Sequence, residues 1–231
     1  MKLLAFETAT EACSVALWVD GDVRERFELA PRRHAELSLP WAEALLAESG
    51  IAKSQLDAIA VGRGPGAFTG VRLAIALAQG IALALDRPVV PVSTLAALAM
   101  RSAGERVLAA IDARMGEVYW GAFTRDGDDM RATTPDSVGP ATAVALPAGD
   151  GAWYGVGTGF AAVEGALPQH LGNKLAQVDA TALPHAADIA TLAVAAVARG
   201  EAVPAERLEP AYLRDNVALT LAEQRALRDS R

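Results

Sequence analysis

Glu7-Thr8-Ala9-Thr10-Glu11 is a polar break between two apolar runs. Hydroxyls at Thr8 and Thr10, together with turn amides, can hold phosphate oxygens. A carboxylate at the start of such a turn can order a divalent cation. The same five residues also make an ordinary polar hairpin tip. A second candidate is Gly62-Arg63-Gly64-Pro65-Gly66-Ala67-Phe68-Thr69-Gly70, which feeds a helix. Amides at a helix N-terminus, unhindered by side chains, form an anion site. This loop lacks the Gly-Lys-Ser/Thr ending of a P-loop and the GxGxxG spacing, and Pro65 removes one N–H. A strand-to-helix turn that needs glycine dihedrals explains it equally well. If nucleotide binds, as weak ATP or ADP binding, Thr8, Thr10, Gly64, Gly66 and Thr69 are the residues for it.

Other chemistry is sparse. Asp112 and Glu117 flank Ala113–Gly116 between two strands, as a carboxylate pair for acid–base work or as a plain hairpin tip. The histidines are His34, His170 and His185, with no HExxH or HxxxH among them. Cys13 is the single cysteine, so there is neither a CxxC nor a disulfide framework, and no GxSxG is present. No catalytic residue, metal ligand or required cofactor is expected from these residues.

The elements that would position these groups follow from periodicity. Residues 2–7 read as a short buried strand, and 12–19 alternate with a period of two. Asp20-Gly21-Asp22 predicts a tight hairpin leading into a third strand that ends near Ala30. Leu37, Trp41, Ala44 and Leu45 form the apolar stripe of a helix that Gly50 closes. A strand over 57–62, a helix over 71–85, a strand over 89–92 and a short helix over 94–100 come next. Residues 106–112 and 117–124 then restart the meander, so two related lobes are expected, 1–102 and 103–231. Residues 133–150 read as loops, 153–156 as a strand, and 185–199 as an Ala-rich helix stopped by Gly200. The helix over 71–85 is apolar nearly all round. Its residues Val71 and Ile75, with Leu37, Trp41 and Leu45 of the preceding helix, serve either as core or as a subunit interface.

Composition limits the function classes. The chain has 231 residues, is 52% hydrophobic and carries a net charge of -7. An acidic surface repels polyphosphate, so any RNA contact is expected to be indirect. Glu7 interrupts the N-terminal apolar run too early for a signal peptide. The apolar stretch after Arg72 contains Gln79 and Gly80 and reads as shorter than the roughly 20 residues of a membrane span. A cytoplasmic protein is expected.

Several stretches in order, LLAFETATEACSVAL (3–17), RHAELSLP (33–40), GRGPGAFTGVRLAIALAQGIALAL (62–85), DARMGEVYW (112–120), GVGTG (155–159) and PAYLRDNVA (210–218), resemble the TsaB (YeaZ) family. GRGPGAFTGVR is the most specific of them. The resemblance implies an α/β fold of the actin/sugar-kinase (ASKHA, RNase H-like) class, with two related lobes that each hold a mixed sheet flanked by helices. It implies a scaffold for the longer paralogue TsaD, which transfers threonylcarbamoyl to the adenosine beside the anticodon of ANN-decoding tRNAs. It also implies that TsaE joins as a third component. In isolation the apolar face around Trp41 and Ile75 is expected to pair with itself, giving a homodimer. TsaD holds its metal with an HxxxH pair; here Thr94 and Leu98 fall where those histidines would stand, and neither is a credible transition-metal ligand. In this fold class the turn at residue 7 carries an aspartate, and Glu7 is one methylene longer. A nucleotide-dependent transferase or weak ATPase is the alternative.

Overall fold

The computed structural model describes residues 1–149 and 151–214. The last four residues of the stretch 210–218 therefore lie outside the described part, as does the end of the expected second lobe. Two mixed sheets dominate. The first contains β1 (Lys2–Glu7), β2 (Ala12–Val19), β3 (Asp22–Leu29), β4 (Ala58–Gly62) and β5 (Val89–Val92), in the order β3-β2-β1-β4-β5. The second contains β6 (Arg106–Arg114), β7 (Glu117–Asp126), β8 (Asp129–Ala132), β10 (Trp153–Val156) and β11 (Leu175–Asp179), in the order β11-β10-β6-β7-β8. β9 (Ser137–Pro140) pairs with the start of β7. Read from its meander end, the second sheet repeats the order of the first: an antiparallel three-strand meander extended by two parallel strands.

Burial on both faces explains the continuous apolar strands. In β1, Leu4 and Phe6 point to one face with Val15, Leu17, Ile59 and Val61; Leu3 and Ala5 point to the other with Ala16, Ala58 and Ala60. The first face is covered by α1 (His34–Glu48) and α2 (Phe68–Leu85). The second is covered by α5 (Ala186–Ala198), which with α3 (Thr94–Met100) fills the space between the sheets. Alanine meets alanine there, as Ala186, Ala190 and Ala193 lie against the small side chains of the sheet. A third cluster, built on Leu108, Ala110, Trp153 and Phe160, packs under α4 (Ala166–Leu171).

α5 is fixed to the first sheet at its N-terminus. The Ser14 hydroxyl accepts from the Ala186 N–H at 2.8 Å, and Glu25 accepts from the Ala187 N–H at 3.0 Å and from Ser14 at 2.6 Å. Orphan amides of a helix end are thus satisfied from two neighbouring strands. His185 Nδ1 sits 2.8 Å from the other Glu25 oxygen, and its ring stacks on Phe27 at 4.1 Å. So α5 and the turn residues Ala205 and Leu208, all C-terminal to residue 102, pack onto the first sheet and α2.

The hairpin at Asp20-Gly21 forms with both residues at positive φ, and Gly50 follows α1 at φ 64°. Two expectations need correction. Residues 133–150 are not all loop: Ser137–Pro140 is a strand, held by its ladder to β7 and carrying no alternation of its own. α2 begins at Phe68, so the last three residues of the glycine-rich segment are helix. At 18 residues it also reaches the length and apolarity of a membrane span, with a third of it buried. The Gln79 amide on that helix donates to the carbonyls of Ala205 and Leu208.

Candidate functional site

The C-terminal ends of β1, β4 and β5 converge with the glycine-rich segment, and Glu7 lies at the centre of that convergence. Its side chain is 1% exposed. One oxygen accepts from the Ala9 N–H at 2.7 Å, and the other from the Thr94 hydroxyl at 2.8 Å. Thr94 opens α3, and its oxygen also takes the Gly64 N–H at 3.2 Å. Burial pushes the Glu7 carboxyl up from 4.5 to about 7, against the opposing pull of the Ala9 N–H, the Thr94 hydroxyl and the Thr8 N–H. A desolvated carboxyl with three donors is poised between its two protonation states near neutrality.

The predicted phosphate-binding groups are brought together, but they are engaged with one another. The Thr8 hydroxyl is buried and donates to the Gly70 carbonyl at 2.7 Å. The Ala67 N–H donates to the Ala9 carbonyl at 2.7 Å. A Cβ on Gly70 would stand 1.9 Å from the Thr8 carbonyl oxygen, and one on Gly66 would stand 2.4 Å from that of Ala9. The glycines therefore let the loop lie directly on the β1–β2 turn, the close-approach role of glycine. The Gly64 N–H is spent on Thr94. Thr10 accepts from the Ala12 N–H at 3.3 Å, and its carbonyl lies 3.0 Å from His34 Nε2. Thr69 alone of the five is exposed. Leu98, one turn beyond Thr94, is fully buried in the core between the sheets. Asp112 pairs with Arg114 at 2.9 Å and Glu117 with Arg214, so the carboxylates at that hairpin are each in an ion pair. Among the described residues no group of three or more His, Cys, Asp or Glu gathers that could hold a metal ion.

Sequence reasoning missed a cavity of about 510 Å³ beside this convergence, between β5–α3, β8 and the C-terminal end of α5. Val92, Ala96, Phe123 and Leu192 are among its lining. At its edge Asp136 accepts from the Ser93 hydroxyl at 2.7 Å, and burial pushes its carboxyl up. Ser93 and Asp136 are 43 residues apart, and no motif marks them.

The partner-binding residues divide. Leu45, Val71 and Ile75 face the sheet and belong to the core of the first lobe, so the expectation that all five residues face a partner is corrected for these three. They lie on the sides of the two helices that meet the sheet, which buries them. Leu37 and Trp41 are half-buried. The outer side of α2 instead presents Leu73 and Leu77, half-buried, and Ala76, Gly80, Leu83 and Ala84, exposed. With Leu39 of α1 also exposed, an apolar face is left uncovered among the described residues.

Residues 28–221 match the family model described as TsaD, tRNA N6-adenosine threonylcarbamoyltransferase. The chain is 43% identical over 228 residues to the tRNA threonylcarbamoyladenosine biosynthesis protein TsaB of Escherichia coli, covering 94% of this chain and 96% of that one. The protein of the same name from Haemophilus influenzae is 39% identical over 231 residues, covering 94% and 95%. The solved structure of YeaZ from Pseudomonas aeruginosa superposes with a TM-score of 0.86 at 49% identity, over 92% of this chain and 99% of that one.

Proposed function

Since the chain belongs to the TsaB (YeaZ) family and so has a role in tRNA threonylcarbamoyladenosine biosynthesis, we propose that it acts there as a non-catalytic, cytoplasmic subunit. In this reading it pairs with the transferase TsaD and is required for threonylcarbamoyl transfer. The observation that carries the reading is the contrast between a cleft whose polar groups bond to one another and an apolar helix face that none of the described residues covers. Thr8, Gly64 and Glu7 spend their hydrogen-bonding capacity on Gly70, Thr94 and Ala9. Placing a phosphate there would first break those bonds, each buried and costly to leave unmade. The outer face of α2, by contrast, is apolar and long enough to seat a partner helix in an antiparallel or crossed pair. Before a partner arrives, two copies of this chain can cover the same face, which is the basis for a homodimer in isolation. TsaE would join the pair as a third component, and tRNA would be held by the transferase, in keeping with the net charge of -7.

The test is reconstitution. The purified chain alone should leave tRNA unmodified, and TsaD with TsaE and the threonylcarbamoyl adenylate should modify it only when the chain is added. Robust modification by the chain alone would overturn the reading.

A second reading, a nucleotide-binding transferase or weak ATPase, is favoured by Glu7 alone, because a buried carboxyl with a displaced pKa at a cleft is a mark of functional sites. Calorimetry with ATP and Mg²⁺ separates the two. Micromolar binding that Thr10→Ala abolishes would select the second.

A further inference from the structure

On the outer side of α2, Phe68, Arg72, Ala76 and Gly80 follow one another at steps of four and so form a single ridge. The ridge does not stop at the helix N-terminus. The Arg72 guanidinium lies 3.1 Å from the centre of the Phe68 ring and 4.9 Å from that of Tyr212, a residue of the C-terminal segment. That segment is tied to the first lobe by the Ala211 N–H, which donates to the Arg63 carbonyl at 2.8 Å. Two residues past Tyr212, Arg214 reaches the second lobe, donating to the Ala113 carbonyl, to Glu117 and to the Met115 sulfur. Met115 tops the β6–β7 hairpin, where Arg114, Met115 and Gly116 all have positive φ. Two of these are not glycine and carry backbone strain, and Met115, at the tip of the turn, is 86% exposed. Phe68 and Tyr212 are 64% and 55% exposed. Among the described residues Phe, Tyr, Met and Arg thus form one exposed strip that crosses from the first lobe to the second, in the composition typical of interface centres.

One polar atom in the strip is unsatisfied. Arg72 Nη1 is buried without a hydrogen-bond partner, and Arg72 makes no ion pair among the described residues, whereas Arg114 and Arg214 are matched by Asp112 and Glu117. Arg72 is half-buried, and the accessible remainder of its guanidinium, held in place by the two rings, can take a carboxylate from outside. A second copy of this chain docking strip on strip would offer Arg72, from the strip itself, only Asp112 and Glu117, carboxylates already paired with Arg114 and Arg214. RNA would meet a chain of net charge -7 in which two of the three arginines at the strip are already neutralised.

We propose that this strip is the continuation of the partner surface: the protein partner bound on the outer face of α2 extends over Phe68 and Tyr212 to Met115, touches both lobes, and supplies an acidic side chain to Arg72. The inference rests on the partner reading above. Its test measures affinity of the full-length chain for purified TsaD by calorimetry. Met115→Glu and Tyr212→Ala should each weaken binding at least tenfold. Arg72→Met should weaken it similarly while leaving the thermal midpoint of the isolated chain unchanged or higher, a split that a merely structural arginine would not give. Ala76→Arg serves as the control on the helix face. If it abolishes binding while the other three bind like the parent chain, the partner reading stands and the extension falls. If Ala76→Arg also binds normally, both fall. Titration with tRNA alone gives the third arm: loss of tRNA binding in Arg72→Met and Tyr212→Ala, with TsaD affinity intact, would make the strip an RNA contact and overturn the proposal.

Discussion

Replacing Glu7 with Gln should change how the stability of this chain depends on pH. The folded-state pKa of Glu7 is about 7 and the ordinary value is 4.5, so the native state holds the proton more tightly than the unfolded chain does. The stability this confers is complete below pH 4.5 and is lost as pH rises through 7. Linkage at 1.36 kcal/mol per unit makes the whole loss about 3 kcal/mol, of which about 2.5 kcal/mol falls between pH 5 and pH 8. Glutamine has no proton to lose. Its own costs, such as a changed hydrogen bond to Thr94, are the same at both pH values and cancel in the comparison. Denaturant or thermal unfolding of both proteins at pH 5 and pH 8 gives the double difference directly. Relative to the parent, Glu7→Gln should gain about 2.5 kcal/mol on going to pH 8, or about 5–10 °C in the midpoint for a chain of this size. A difference that stays constant across the range would show that Glu7 does not titrate in the folded protein between those pH values, and the argument that the cleft is closed and dry around it would fail.

Gly70→Ala should destabilise by at least about 3 kcal/mol, because the new methyl would overlap the Thr8 carbonyl, where backbone on both sides prevents relief; urea unfolding reads this. Ile75→Arg should unfold the chain or lower its midpoint steeply, since the side chain is 7% exposed within the core, while Ala76→Arg should leave the circular dichroism spectrum and midpoint intact and abolish partner binding. Ser14→Ala leaves the Ala186 N–H at the start of α5 without its acceptor and should cost about 1–2 kcal/mol, measurable by thermal melting. Glu25 is held below the usual carboxylate range: burial raises it, but the hydrogen bonds from His185, Ser14 and the Ala187 N–H outweigh burial. Its contribution to stability is therefore present above the unfolded pKa and lost as pH falls, and Glu25→Gln should flatten the acid limb of the stability curve.

How far the chain could be read without coordinates depends on where the information sits. Period-two and period-3.6 patterns specify an element and its inner face when the other face is polar. β2 and the hairpin at Asp20-Gly21 appear as expected because large and small side chains alternate along most of β2 and Asp-Gly marks its turn, although both faces of β2 are buried. The polar-face condition fails for α2, where both sides are apolar, so Val71 and Ile75 were indistinguishable by type from interface residues. The signal that separates the two sides lies in where the charge and the internal glycine fall. Val71, Ala74, Ile75, Ala78 and Ala82 follow the helical repeat and are buried, whereas the ridge through Arg72, Ala76 and Gly80 holds the single charge of the helix and its one internal glycine after the first turn. A core-facing stripe would tolerate neither easily. β9, α4 and β11 stayed illegible because their residues gain order only from partners distant in sequence, as Ser137–Pro140 does from β7. The same applies to Ser93 with Asp136, and to Ser14, Glu25 and His185, whose meeting depends on α5 returning to the first sheet across the whole second lobe. Glu7, Thr8 and the glycines could be grouped from local motifs. That the group closes on itself could not, because its closure is made by carbonyl oxygens at Ala9 and Gly70, atoms that every residue carries and no sequence distinguishes.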